Sequence, residues 1–150
     1  MSFLSSMNIS ASALTATRLR MDIIAENIAN SSTTRTETGD PYRRRFVVFQ
    51  EITGEDRMRG FHTMFDRAHT QNRQPGGVRV VHIGEDQSDF KFDYNPTHPD
   101  ADENGMVRLP NVEVVQEMVD MMSAFRAYEA NINALNIFKD MATRTLEIGR

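Results

Sequence analysis

The stretch RAYEANINALNIFKDMATRTLEIG, residues 126–149, carries no proline and no glycine before its last residue. Near the other end, DIIAENIANSSTT, residues 22–34, is a second helical run that closes on an asparagine-rich cap. Extended outward, both runs become long stripes. Alternating steps of three and four place Leu4, Met7, Ala11, Leu14, Arg18, Met21, Ala25 and Ile28 on one line, and seven of these eight are apolar. The same alternation gives Val114, Met118, Met121, Phe125, Tyr128, Ile132, Leu135, Lys139, Ala142 and Leu146, nine of ten apolar. Each stripe has the spacing of a coiled-coil seam. The first helix is expected over residues 3–30. It stops where SSTTRTETGDP supplies Ser, Thr, Gly39 and Pro41, which form turns and continue helices poorly. The second follows Pro110 and Asn111 and ends at Gly149, spanning about 50 Å at 1.5 Å per residue.

Between the helices the texture changes. RRRFVVFQEI, GGVRVVHIG and DFKFDYN are short, rich in Val, Ile, Phe and Tyr, and punctuated by Gly and Pro. They read as three or four strands of a small antiparallel unit. QNRQPGG (71–77) reads as a turn, and NPTHPDADENG (95–105) as a polar connection back to the second helix. The expected fold class is α+β, with the terminal helices paired as an antiparallel coiled-coil-like hairpin. Its segments are residues 1–38, an axial helix with its cap; 39–109, a β-rich middle; and 110–150, the second axial helix.

Composition removes several functions. The 150 residues carry a net charge of −4 with 17 basic and 21 acidic groups evenly mixed along the chain. That gives no bulk attraction to nucleic acid or anionic lipid. Cysteine is absent, which removes disulfides, thiolate–zinc sites and thiol catalysis. No run of apolar residues is long enough to span a bilayer, and the first basic residue, Arg18, comes too late for a signal-peptide n-region. Export, if it occurs, is expected without a cleaved signal.

No catalytic pattern emerges. His62, His69, His82 and His98 lie in the middle segment, none at ligand spacing from another. Neither long helix carries an E-x-x-H pair, and no nucleophile elbow or phosphate loop is present. Asp100, Asp102, Asn104 and Gly105 match the opening of a calcium loop, but its twelfth position is Asn111 in place of a bidentate Glu. An Asx-rich turn is the preferred reading. No cofactor, metal ligand or catalytic residue is expected. PYRRR (41–45) is the only basic cluster. Lacking the aromatic interleaving and net basic surround of a nucleic-acid patch, its arginines are expected to flank the strand Phe46–Phe49 and pair with acidic groups of a neighbour, within the chain or outside it.

The helical stripes therefore carry the functional reading. A 50 Å helix (about) outreaches a small sheet unit, and one pairing with the shorter helix leaves it incompletely covered. Val115 and Met122 flank the seam on one side, and Ala127, Ala134 and Met141 on the other. Ala124, Ala127, Ala130 and Ala134 permit close helix approach, and methionines along the stripes adapt to unlike neighbours. Other subunits supply the missing cover most economically.

At this point the residues carry a resemblance. ENIANSSTTRTETGDPYRRR (26–45), NPTHPDADENGMVRLPNVEVVQEMVDMMSAFRAYEAN (95–131) and the closing LEIG resemble the bacterial flagellar axial proteins. Among these they look most like the basal-body rod proteins of the FlgC type, found in the proximal rod. Met106 stands where that pattern has Tyr, and Glu26 where Asn or Ala is commoner; neither is a seam position. The resemblance implies an antiparallel helix pair stacked into a helical axial tube. It also implies passage through the flagellar type III export apparatus, a place in the periplasmic part of the basal body, and a mechanical role in carrying motor torque to hook and filament, needed for motility. Implied partners are copies of the chain, other rod proteins, the MS-ring and export-gate base, and the distal rod, with no nucleic acid and no membrane insertion. The expected assembly interface comprises Leu4, Met7, Leu14, Met21, Asn27, Ile28 and Asn30 on the first helix. On the second it comprises Met118, Met121, Phe125, Tyr128, Asn131, Ile132, Leu135 and Leu146. Two rival readings are a secreted or periplasmic adaptor whose helices close into a stable monomeric hairpin, and an amphipathic membrane-active protein. Scarce lysine and mixed charge oppose the latter.

Overall fold

A computed structural model of the chain describes residues 3–52 and 76–148. Gly149, His62, His69 and residues 71–75 of the expected turn lie outside them, as does the side chain of Leu4. The elements are α1 (Phe3–Ala29), β1 (Arg45–Glu51), β2 (Val78–Glu85), β3 (Lys91–Tyr94), β4 (Met106–Leu109) and α2 (Val114–Ile148). The fold is α+β, and the two helices pack against each other with opposite ends together.

Both helix lengths follow from the 3.6-residue period, and the local chemistry sets their limits. Ser12, Thr15 and Thr17 turn their hydroxyls back onto carbonyls of the preceding turn, so these polar residues sit inside α1 without an unpaired group. At its end the Asn30 amide donates to the Glu26 carbonyl (2.9 Å), and Asn30 Oδ1 accepts the Thr33 hydroxyl (3.1 Å). The Glu26 carbonyl, which also accepts the Asn30 N–H at 3.0 Å, is thereby bonded twice where the helix ends. Buried Pro110 precedes α2, and Glu117 sits in its first turn. A carboxylate there is favoured by the helix dipole.

Among the described residues the middle forms two separate two-stranded antiparallel sheets where one small unit was expected. β1 pairs with β2. β3 pairs with β4 in the register Lys91↔Leu109, Phe92↔Arg108, Asp93↔Val107 and Tyr94↔Met106. Residues 95–105, expected to be a plain connection to the second helix, are the loop of this second hairpin, and 106–109 return as its strand. The pleat then sorts the side chains. Val107 is buried, whereas Phe92 and Tyr94, on the opposite face, are open to solvent.

The described residues form two compact units. One contains residues 3–18, 49–52, 76–81 and 126–148. There the start of β2 is tied to α1: the Val78 N–H donates to Ser12 Oγ (3.1 Å), and Gly77 lies so close that a Cβ on it would collide with Ser12 Oγ. Gly77 also has a φ of +101°, a conformation that costs a side-chain-bearing residue dearly. The other unit contains residues 19–48 and 82–125. Its apolar core is Ile23, Ile24, Tyr42, Val107, Val112 and Ala124.

Gly77→Ala is therefore expected to destabilise the chain by about 1–3 kcal/mol, from backbone strain plus overlap with Ser12. A lower urea midpoint with unchanged slope checks this. Gly39, also at positive φ but with open space around its Cβ direction, should cost less when changed to Ala.

Candidate assembly site

Within the second unit the asparagine box of α1 meets the basic cluster and the start of α2. Asn27 is completely buried and uses its whole hydrogen-bonding capacity inside the chain. Its Oδ1 accepts the Tyr42 hydroxyl (2.9 Å) and the Arg45 N–H (2.9 Å). Its amide nitrogen donates to the Arg45 carbonyl (2.8 Å) and to Glu117 Oε2 (3.0 Å). The side chain thus acts as a strand for residue 45, pairing both of its backbone groups, while gripping α2.

Glu117 is equally buried. Its other oxygen, Oε1, accepts Arg44 Nε at 2.6 Å, and the same guanidinium reaches Asp120 at 3.6 Å and Asp86 at 3.9 Å. A buried carboxylate is tolerable only when paired and hydrogen-bonded, and here both oxygens are engaged. A second asparagine repeats the device. Asn111 Oδ1 accepts the Arg44 N–H (2.8 Å), and its amide donates to the Asp86 carbonyl (3.0 Å) and to Ser88 Oγ (2.9 Å). Two side-chain amides, on opposite flanks of consecutive residues, therefore fix where β1 begins.

The remaining arginines follow the same pattern. Arg45 pairs with Glu26 (2.8 Å), and Arg43 lies 4.3 Å over the Phe90 ring. All three members of the basic cluster find their partners within the chain. Asp86 is held below its ordinary carboxylate value, first by the Ser88 N–H, then by the Ser88 hydroxyl, with smaller help from Arg44. The calcium-like segment is also occupied by internal bonds: Asp100 accepts the Thr34 hydroxyl (2.8 Å), tying the hairpin loop to the cap of α1, and the Asp100 N–H donates to His98 Nδ1 (3.1 Å).

The other expected interface residues separate into two groups. Met7, Leu14, Met21, Ile28 and Asn30 on or just after α1 are half-buried, as are Met121, Tyr128, Asn131, Ile132 and Leu135 on α2. Asn131 returns its amide to the Ala127 carbonyl (2.8 Å). Met118 and Phe125, each 56% exposed, and Leu146 at 76% stand in solvent. The most buried positions of α1 are Ser10, Ala16, Ile23, Ile24 and Asn27, off the seam, while seam positions Ala11, Arg18 and Ala25 are exposed. On α2, Glu117 and Ala124 are the buried positions, next to the seam.

That displacement leaves an apolar stripe uncovered. In the second unit Val115, Met118, Val119, Met122 and Phe125 lie along α2, each three or four positions from another of the set, all more than half exposed. In the first unit Ile137, Met141 and Leu146 are exposed likewise. A helix that is apolar on both its packed and its open side belongs inside a larger structure.

The same two ends of the chain match known families. Residues 7–35 match the model described as flagella basal body rod protein, and residues 103–148 match the flagellar basal body rod FlgEFG protein C-terminal. The chain is 45% identical to the flagellar basal-body rod protein FlgC of Borreliella burgdorferi, over 99% of this chain and 98% of that one. It is also 45% identical to the Bacillus subtilis protein of that name, over 97% of each, and 41% identical to that of Salmonella typhimurium over 100% of each. The chain belongs to the FlgC-type flagellar basal-body rod family. It is a structural subunit of the flagellar basal-body rod, with its role in motility, and members of this family associate with other basal-body components. The matched segments contain Asn27 and Glu117, the two halves of the buried clamp.

Sequence reading placed Asn27 among the interface residues and gave Tyr42, Asn111 and Glu117 no role.

Asn27→Ala strands the Tyr42 hydroxyl, Arg45 N–H and one Glu117 oxygen, and should cost at least about 2 kcal/mol of unfolding free energy. Burial, aided by the Glu26 charge and opposed by Arg45, pushes the Tyr42 phenol up to about 12. The folded chain favours the protonated phenol, so this contribution is complete below pH 10 and disappears as pH rises toward 12. Tyr42→Phe should flatten that alkaline decline in urea-melt midpoints.

Proposed function

We propose that the exposed stripe of α2 is the surface through which this rod subunit is built into the proximal rod, in contact with copies of itself and with other rod proteins. The observation that carries the reading is the run Val115, Met118, Val119, Met122 and Phe125, open to solvent on a helix whose opposite side is already packed. Closing that surface with neighbouring subunits removes apolar area from water and stiffens the helix pair. Contacts of this kind are head-to-tail, and a rotation that does not close on itself extends them into a helical rod. In this reading residues 1–38 and 110–150 form the axial part of the subunit, and 39–109 its β-rich middle.

In this reading Met7, Leu14, Met21, Ile28, Tyr128, Ile132, Leu135 and Leu146 join Met118, Met121 and Phe125 in packing between helices and subunits. Leu4, Asn30 and Asn131 belong to the same interface, and Asn27 holds the frame that presents it. The subunit works by transmitting torque from the motor toward hook and filament, with no catalytic step. It reaches the periplasmic rod through the type III export apparatus without a cleaved signal and meets the MS-ring and export-gate base on one side and the distal rod on the other. Among the described residues no helix is long and apolar enough to cross a membrane.

Phe125→Asp and Met118→Asp test the proposal. Both side chains are exposed, so monomer stability should move by no more than about 0.5 kcal/mol. Expression should be unchanged, while rods fail to form and swimming is lost. Wild-type swimming in either variant overturns the assignment of this face.

A further inference from the structure

The sequence contains one Asn–Gly pair, Asn104–Gly105, and the structure places it where the loop of the β3–β4 hairpin runs into β4. Asn–Gly is the pair most prone to cyclise, because glycine offers no side chain to hinder its own backbone nitrogen. In that reaction the Gly105 nitrogen attacks Asn104 Cγ, and the Cγ–Nδ2 bond breaks. Ammonia leaves, carrying the proton from the attacking nitrogen, and a succinimide remains. Water then opens the ring at one of its two carbonyls, giving aspartate or isoaspartate. Water is the only co-reactant.

Here the attacking nitrogen is engaged. The Gly105 N–H donates to the Asp102 carbonyl at 2.8 Å, the Asp102 N–H donates to the Met106 carbonyl at 2.9 Å, and the Gly105 carbonyl accepts the Asn95 N–H at 2.9 Å. Gly105 is buried although Asn104 is exposed. Its φ is +75°, and a Cβ on it would come within 3.0 Å of Tyr94 and 3.1 Å of Pro96. Ring closure requires the 104–105 peptide to rotate so that its nitrogen faces Asn104 Cγ. That rotation breaks the bond to Asp102, in a turn where Tyr94 and Pro96 leave no room for a Cβ on Gly105.

We propose that Asn104–Gly105 is a conformation-gated modification site: the closed hairpin turn holds the amide inert, and a chain held open there deamidates. The product bars the way back. Isoaspartate adds a methylene to the backbone at the point where Gly105 is seated under Tyr94 and Pro96, so a converted chain cannot restore the three hydrogen bonds of the turn. The hairpin loop also carries Asp100, whose carboxylate ties it to Thr34 beyond α1, so damage where the loop joins β4 reaches the helix cap. The site thus records how long a chain has stayed unfolded, and removes late chains from the pool able to fold.

The full-length chain, incubated at one mildly alkaline pH with and without urea, provides the test. Deamidation and isoaspartate at residue 104 are read by peptide mass spectrometry. The folded chain should convert more than about tenfold slower, the factor given by about 1.4 kcal/mol of turn opening. Val107→Ala, which thins the hairpin's buried face while leaving the pair itself intact, should give an intermediate rate in buffer and an unchanged rate in urea. Chains aged in urea and returned to buffer should show lost hydrogen-exchange protection at Asn95, Asp102 and Gly105 in the isoaspartyl fraction only. Equal rates with and without urea would overturn the gating. Full protection regained by isoaspartyl chains would overturn the barrier to refolding.

Discussion

A completely buried primary amide, Asn27, is the constraint on which the helix–strand–helix unit depends. It has two donors and two acceptor positions, and each meets a different partner: a phenol, both backbone groups of residue 45, and a carboxylate on the other helix. No other side chain of that size supplies two donors and two acceptors from a planar group. An apolar residue there would strand four partners, and a carboxylate would bring a second negative charge against Glu117. The register of α1 against α2, and the point where β1 leaves the helix cap, are settled together by one residue. Asn111 accepts the N–H of residue 44 and donates to the Asp86 carbonyl, so the basic cluster is held at successive backbone positions by two side-chain amides.

Placing the polar network at this junction leaves hydrophobic surface for use elsewhere. Specific alignment comes from Asn27, Glu117 and Arg44, whose hydrogen bonds are directional and fail when displaced by an ångström or so. Apolar packing, which tolerates sliding, need not decide the register. Val115, Met118, Val119, Met122 and Phe125 can then remain on the open side of α2, presented on a helix whose orientation is already fixed. Methionines within that stripe suit a surface that must fit neighbours of differing shape. In the proposed assembly this division gives each chain a defined frame before neighbours cover the remainder.

Much of this was legible in the residues. The ends of α1 and α2 fell within a few positions of the periodic stripes, because an amphipathic helix writes its period and its caps locally. β1, β2 and β3 announced themselves by Val, Ile, Phe and Tyr between turn formers. β4 did not, since MVRL is only four residues long and becomes a strand through its pairing with 91–94. The arginines at 43–45 were expected to seek acidic partners; Arg44 and Arg45 found Asp86, Asp120, Glu117 and Glu26 inside the chain, while Arg43 lies over the Phe90 ring. Glu117 was beyond sequence reasoning. Its partner Asn27 is ninety residues away, and a carboxylate with no visible local partner reads as a solvated surface charge.

By itself, the sequence determined that two long apolar-striped helices flank a strand-rich middle, that no cysteine or metal-ligand pattern accompanies them, and that the end motifs are those of flagellar axial proteins. Such features are written in near-neighbour spacing, where propensity, period and capping act over a few residues. Tertiary structure alone decided which side of each helix is packed, that Asn27 and Glu117 rather than the seam residues lie deepest, and that the middle closes as two hairpins. Those outcomes depend on which hydrogen-bonding groups meet across the fold. A buried polar residue is distinguished from an exposed one only by partners that the chain brings to it from far along its length.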